Sequence, residues 1–357
     1  MDLTQSTDVA ILGGGISGLA CAMRLRTVAP SLGVTVIEAR PRPGGKVVGT
    51  EIGRCIVDGG PDLCVEGTLA ATHLYEILSL GDHMIPVNPD RLPTFRRSGE
   101  SFVPMAGVIT DGLVTMRRGM HDIIDRLLHA LRGVTIRTSC IVRAVERANG
   151  RWRVATADGQ LIESRAVLSA LPAPHAGRIF GSVAPSLAHA ASRVRYLPMT
   201  TVSTAWRAAD IGRALDATGY VDANPEPGSV SACTWTTRKI PSRAPAGVEL
   251  LRGYVRSADP DAATIMAVED MRSSASITGQ PLWTRAFAWE EALPQYPRDH
   301  TAAVAAVRAE LAAIDGLAIA GAAWDGVGVG SCIASGERAA DLLASAFLPR
   351  QHGLIPA

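Results

Sequence analysis

With 357 residues, 47% of them hydrophobic and 19% charged, the chain has the composition of an ordinary globular protein and the length of about two domains at roughly 150 residues each. Its 35 Lys and Arg balance 34 Asp and Glu, which excludes the basic footprint of a nucleic-acid binder, and six scattered cysteines without a C-x-x-C pair signal neither a zinc site nor a disulfide framework. The longest apolar stretches fall short of the roughly 18 residues a membrane helix needs, and Asp2 and Asp8 stand where a secretory signal would be basic, so no integral membrane segment and a reducing cytoplasm are expected.

Residues 8–12 are a short apolar run ahead of Gly13-Gly14-Gly15-Ile16-Ser17-Gly18; helix formers follow over 19–26 and Pro30 stops them. This pattern predicts strand, tight turn and helix. A β-branched second strand over 34–38 ends on Glu38 and completes a βαβ unit within about thirty residues. Residues 68–80 are predicted helical with Gly81 as C-cap, and 95–104 form a hairpin around Ser98-Gly99. A helix over 120–132 places Ile123, Ile124, Leu127, Leu128 and Leu131 on one face and ends at Gly133. Over 134–162, Asn149-Gly150 and Asp158-Gly159 punctuate short strands, predicting a β-meander, and 166–170 adds a further strand. From 182 to 298 strands alternate with Pro-rich loops and one helix near 261–271, which reads as a second domain. An Ala-rich helix over 301–314, a buried strand over 317–320 and a helix over 332–344 close the chain.

The chemistry starts with Gly13-x-Gly15-x-x-Gly18. These glycines permit a tight turn, a close approach of backbone to a pyrophosphate, and close packing of helix on strand. The helix that follows offers free N–H groups and a positive dipole end to phosphates. Glu38, twenty residues past Gly18, is placed to accept hydrogen bonds from ribose hydroxyls, so a dinucleotide is expected. Gly44-Gly45-Lys46 then supplies a second glycine pair and a cation, which a simple nicotinamide domain does not need. Near the C-terminus Gly321, Trp324, Gly326, Val327, Gly328, Val329 and Gly336 mark a strand, a glycine loop and a helix start.

These residues resemble the superfamily of flavin-containing amine oxidases and protoporphyrinogen oxidases, whose FAD domain carries the acidic residue, then Gly-Gly, then Arg or Lys. The C-terminal block looks like the closing FAD motif of the bacterial protoporphyrinogen and coproporphyrinogen oxidases. Three other stretches are similar to the same family: Asp58-Gly59-Gly60-Pro61-Asp62, with Asp58 where Glu is usual; Trp235 to Lys239 followed by Leu251-Arg252-Gly253-Tyr254; and Trp289 to Tyr296 with His300 opening the next helix. The resemblance implies an α/β fold, a Rossmann-type FAD-binding domain (1–85, 133–175 and 310–350) with an interwoven mixed-sheet substrate domain (86–132 and 176–309). It carries cofactor contacts to Gly13, Gly15, Ser17, Gly18, Glu38, Arg40, Gly45, Lys46, Gly321, Val327, Gly328 and Val329, and to Val142 through its backbone beside the adenine. Trp289 and Tyr296 are flavin-adjacent. The activity implied is hydride transfer from a substrate carbon to flavin N5 with molecular oxygen as acceptor, the substrate being a tetrapyrrole or another N-heterocycle.

The chain also departs from that family. Its membrane-associated porphyrinogen oxidases carry a long helical insertion that walls the substrate cavity, whereas here only 105–115 separate Pro104 from Met116. The cavity is therefore expected to be open, or covered by a homodimer partner or a carrier or partner protein. Arg91, just before the hairpin, is the candidate anchor for a substrate carboxylate, since a planar guanidinium binds it bidentately. Of the basic residues only Lys46 and Lys239 are lysine, and neither lies on the strand near 197–202 where many amine oxidases hold one opposite the flavin. No histidines show metal-ligand spacing, and no metal is expected. Two other functions stay open: a family member diverted to a smaller pyrrole- or amine-containing, carrier-bound intermediate, and a flavin-binding partner subunit without activity.

Overall fold

The computed structural model describes residues 4–106, 111–226 and 228–347. Strand β1 (Thr4–Leu12) buries Val9 to Leu12 completely, helix α1 (Ile16–Val28) follows the glycine turn, and strand β2 (Val34–Ile37) returns parallel to β1. Thr135–Arg137 extends the parallel sheet beside β2, and Leu161–Ser169 lies on the other side of β1. The C-terminal half of Leu161–Ser169 pairs with Leu317–Ile319, while its N-terminal half pairs antiparallel with Arg151–Thr156, which in turn pairs with Val142–Ala148. The central strands are apolar without alternation because helices cover both faces. Asn149 and Gly150 both have positive φ (53° and 75°), the geometry of a tight hairpin turn that matches strand twist.

A second seven-stranded sheet runs, in spatial order, Trp283–Gln295, Arg195–Arg207, Val248–Val255, Val230–Trp235, Gly219–Asp222, Phe95–Ser98 and Ser101–Pro104. Helix Pro260–Ser274, capped by the Asp259 carboxylate, lays Ala263, Ala267 and Met271 on one face of it against Val202, Trp206 and Leu251. The expected α/β class with a Rossmann-type unit and a mixed sheet agrees with this architecture. Among the described residues no helix is long and apolar enough to cross a membrane.

Three local expectations need correction. The helix expected over 68–80 is two short ones, Glu66–Ala70 and His73–Ile77, because the Thr72 hydroxyl accepts the Tyr75 N–H and starts a new helix. Gly81 lies inside the 3-10 turn Leu80–His83 rather than at a C-cap, and Ser79 takes the left-handed conformation instead (φ 48°). Helix Asp122–Ala130, placed by sequence with the second sheet, buries Ile123, Ile124 and Leu127 in the core that also takes Leu19, Ala22 and Leu25 of α1.

Candidate dinucleotide site

Three glycine loops, two from the first 46 residues and one from beyond residue 320, lie at the C-terminal ends of the parallel strands. Gly13 has φ 103° and a Cβ there would stand 2.8 Å from the Ala170 carbonyl oxygen, while one on Gly18 would stand 2.0 Å from that of Gly13. The Gly44 N–H donates to the Gly14 carbonyl at 2.7 Å, and a Cβ on Gly45 would meet Gly15 Cα at 3.0 Å. Backbone therefore touches backbone between the first two loops. Helix α1 starts at Gly15 with no side-chain cap and no acidic residue in its first turn, so its N-terminal N–H groups and dipole are available to an anion.

Glu38 is buried beside them. One carboxylate oxygen accepts the Gly14 N–H and the other the Arg40 N–H, each at 2.8 Å. The chain entering the Val142–Ala148 strand is tied to the same spot, with the Cys140 N–H on the Glu38 carbonyl and the Ser139 N–H on that of Arg40, both at 2.9 Å, and Val142 itself is buried.

The third loop begins at Gly321 (φ 114°), whose N–H donates to the Ser335 hydroxyl at 2.8 Å. Gly326 and Gly328 follow at φ 100° and 115°, Val327 is exposed, and helix Val329–Ser345 starts without a side-chain cap or an acidic first turn. This helix reaches the site by crossing α1 closely: a Cβ on Gly336 would stand 2.0 Å from the carbonyl oxygen of Ser17.

The second sheet meets these loops along Trp283–Gln295. The Trp289 indole donates to the Gly59 carbonyl at 3.0 Å and carries the Arg40 guanidinium over its ring at 5.1 Å. The Tyr296 hydroxyl donates to the Ala322 carbonyl, and its ring stacks on His300 at 4.4 Å. Lys46 places its ammonium 5.5 Å over the Tyr196 ring; burial lowers its pKa, with Glu291 and Cys332 opposing that loss and Arg40 adding to it.

Asp58 to Asp62 lie packed between the second glycine loop and the second sheet. A Cβ on Gly60 would lie 1.8 Å from the Lys46 carbonyl oxygen, and one on Gly59 would strike the Phe287 ring at 2.5 Å. Asp58 is paired at 3.0 Å with Arg243, which is fully buried and also donates to Thr115 at 2.7 Å. Lys239 pairs with Asp62 at 2.9 Å; although burial works against its charge, Lys239 and Arg252 hold the Asp62 carboxyl down at about 2. For Asp58 burial wins and its pKa rises, even with Arg243 and the Met120 N–H favouring the anion.

Of the residues named from sequence, Gly13, Gly15, Ser17, Gly18, Glu38, Arg40, Gly45 and Lys46 are gathered on two touching loops, and Gly321, Val327, Gly328 and Val329 on the third. Arg91 is elsewhere on the surface, in a left-handed turn (φ 52°), with 79% of its side chain exposed, 3.6 Å from Asp111. Tyr196, Glu291 and Arg243 were not named as site residues. A buried arginine in a Pro-rich stretch reads as solvent-exposed until its partner is known.

Two uncapped helix N-termini, three close-packed glycine loops and a buried carboxylate between two backbone donors form the donor set of a diphosphate linked to a ribose, so the fold and site define a dinucleotide-binding protein. Residues 81–344 match the model of the flavin containing amine oxidoreductase family, and 11–78 that of an NAD(P)-binding Rossmann-like domain. The chain belongs to the flavin-containing amine oxidoreductase family, and its cofactor is FAD. It is 25% identical over 235 residues to the coproporphyrinogen III oxidase of Bacillus subtilis, covering 63% of this chain and 49% of that protein. The same enzyme of Propionibacterium freudenreichii is 30% identical over 244 residues, with 66% and 45% covered. The chain thus spans about half the length of the curated relatives it matches. Among solved structures, one from Exiguobacterium sp. 255-15, provisionally named a protoporphyrinogen oxidase, superposes with a TM-score of 0.83 over 95% of this chain and 98% of that one at 20% identity. Cyclohexylamine oxidase from Brevibacterium oxydans gives 0.72 over 96% and 99% at 14% identity. Both share the fold.

Proposed function

We propose that the chain is an FAD-dependent oxidase that acts on a porphyrinogen, with coproporphyrinogen III and protoporphyrinogen IX as the substrates to try first and molecular oxygen as the acceptor. When bound, FAD supplies the two-electron acceptor for hydride leaving a substrate carbon. The N-terminus of α1 with Gly13, Gly15, Ser17 and Gly18 would hold the diphosphate and Glu38 the ribose. The Val142 backbone would face the adenine, and Arg40, Gly45 and Lys46 would make the second approach. Gly321 with Val327, Gly328 and Val329 would face the flavin ring, where the helix dipole favours an anion. In this reading residues 1–85, 133–175 and 310–350 form the FAD domain and 86–132 and 176–309 the substrate domain, with helix Asp122–Ala130 packed onto the former. Arg91, although exposed at the surface, would be the carboxylate anchor; the Asn88 N–H ties its loop to the Lys239 carbonyl at 2.7 Å.

The observation that carries the reading is the hydrogen bond from Tyr296 to the Ala322 carbonyl, which sets the edge strand of the second sheet against the loop assigned to the flavin ring. A reducing cytoplasm agrees with six free cysteines, five of them buried. The test is anaerobic mixing of the yellow protein with each porphyrinogen, following loss of oxidised-flavin absorbance. Bleaching followed by porphyrin fluorescence in air supports the proposal. If neither substrate bleaches a flavin that chemical reductants do bleach, the porphyrinogen assignment fails.

A second reading rests on the short connection between strands Ser101–Pro104 and Leu113–Met116, of which 107–110 lie outside the described residues. With so short a connection there, a homodimer, carrier or other partner protein would cover the substrate site, and a smaller pyrrole or amine would be the substrate. Bleaching by such compounds and not by porphyrinogens would establish it.

A further inference from the structure

Where the second sheet meets the glycine loops, a carboxylate stands that cofactor binding does not require. Strands Arg195–Arg207 and Trp283–Gln295 pair Leu197 with Leu293 and then Met199 with Trp289, so Pro198 faces three residues, 290–292, and the ladder bulges. Proline has no N–H to give to a ladder, and a bulge re-aims the side chains it carries. Glu291 is one of these. Its Oε1 lies 3.2 Å from Nε2 of His175, in the first turn of helix Ala173–Phe180, and the Ala173 N–H of that turn donates to the Tyr196 hydroxyl at 3.1 Å. Lys46 reaches the same ring from the glycine loop.

Exposure grades outward along this line: the Glu291 side chain is 28% exposed and that of His175 48%. Burial lowers the Lys46 pKa, and Glu291 is the charge that most opposes this, ahead of Cys332, while Arg40 works the other way. Burial also raises the Tyr196 hydroxyl, which the Ala173 N–H counters and Glu291 and Cys332 reinforce. Half-buried Lys46 on the second glycine loop, half-buried Glu291 on the edge strand of the second sheet and the surface imidazole of His175 thus follow one another toward solvent around the Tyr196 ring.

We propose that Glu291 accepts the proton released when substrate is oxidised and passes it through His175 to water. The proposal rests on the oxidase reading above. The substrate C–H bond breaks with its electron pair leaving as hydride to the flavin, and the electron pair of the adjacent N–H bond becomes the second bond of C=N. The proton goes to the Glu291 carboxylate. Glu291 then protonates His175 at Nε2, and the imidazolium releases its Nδ1 proton to water, a role that histidine fills near neutral pH.

In the holoprotein, Glu291→Gln is expected to slow anaerobic bleaching by a porphyrinogen at least tenfold and to abolish the fall in rate at acid pH, with FAD content and photochemical reduction unchanged. His175→Gln is expected to slow bleaching less and to keep that fall. Wild-type rates and pH profile in Glu291→Gln would overturn the proposal. A second readout needs no substrate: with only two lysines, 13C-lysine NMR with Lys46→Arg for assignment follows Lys46 alone. Its titration should move to lower pH in Glu291→Gln. Bleaching of neither protein overturns the oxidase reading instead; the pairing of Glu291 with Lys46 then stands if that titration moves and falls if it does not.

Discussion

Gly45 lies against Gly15 so closely that a Cβ on Gly45 would stand 3.0 Å from the Gly15 Cα, and Gly45 also has φ 58°. Any side chain there is strained by conformation and pushes the two loops apart at the place assigned to the diphosphate. Gly45→Val is expected to lower the FAD content of purified protein at least tenfold while circular dichroism stays that of a folded chain. Full flavin occupancy in that variant would refute the assignment of this contact to the cofactor.

Glu38 is held by two backbone N–H groups, so its orientation is set before any ligand arrives. Glu38→Gln keeps the shape, removes the charge, and turns one acceptor into a donor facing another donor. Hydrogen bonds to charged groups contribute about 1.5–3 kcal/mol, so FAD affinity should fall roughly ten- to a hundredfold. Fluorescence titration of apoprotein with FAD measures this; equal affinities would remove Glu38 from the ribose site.

Sequence showed the first half of the site because its signals are local. Gly13 to Gly18, Glu38 and Gly44 to Lys46 fall within one βαβ unit, where spacing along the chain is spacing in the fold. The Asn149-Gly150 turn was legible for the same reason: its two positive φ angles are a property of those two residues. Contacts made across the sheets were not. Arg243 meets Asp58 across 185 positions of sequence, and nothing local distinguishes it from a surface arginine. Glu291 depends on a bulge that Pro198 induces from a neighbouring strand, which requires the strand register to be known. The misplacement of helix Asp122–Ala130 has a similar origin, since periodicity shows which face is apolar but not which core receives it.

The Asp62 to Lys239 pair ties the Asp58–Asp62 segment to the helix Thr236–Lys239 and should make stability depend on pH. The Asp62 pKa is depressed from 3.8 to about 2, so its contribution is fully present above about 4 and is lost as pH falls toward 2. Lys239→Met leaves the Asp62 carboxylate with Arg252 alone, at 3.9 Å; losing a buried partner outright typically costs about 3–5 kcal/mol, so a smaller loss is expected here at neutral pH. As pH falls the more weakly paired Asp62 of the variant takes up a proton first, so the stability gap between variant and wild type should narrow between pH 7 and 3. Urea denaturation at both pH values tests this, and a gap that stays constant would mean the pair is not what the variant disturbs.

Arg91 offers a way to separate substrate binding from structure. Its side chain is 79% exposed, and its partner Asp111 is 81% exposed at 3.6 Å, a kind of surface pair that contributes about 0–1 kcal/mol and often nothing measurable. Arg91→Ala should therefore leave the melting temperature and FAD content unchanged. If Arg91 anchors a carboxylate, the loss of a charge-assisted bond should raise KM about tenfold or more, with little change in kcat, because the anchor is equally engaged in ground and transition states. Arg91→Lys should recover part of the affinity, since an ammonium keeps the charge but not the bidentate geometry. An unchanged KM in Arg91→Ala would move the anchor to another cation, and the exposed guanidinium of Arg40 over Trp289 is the next to test.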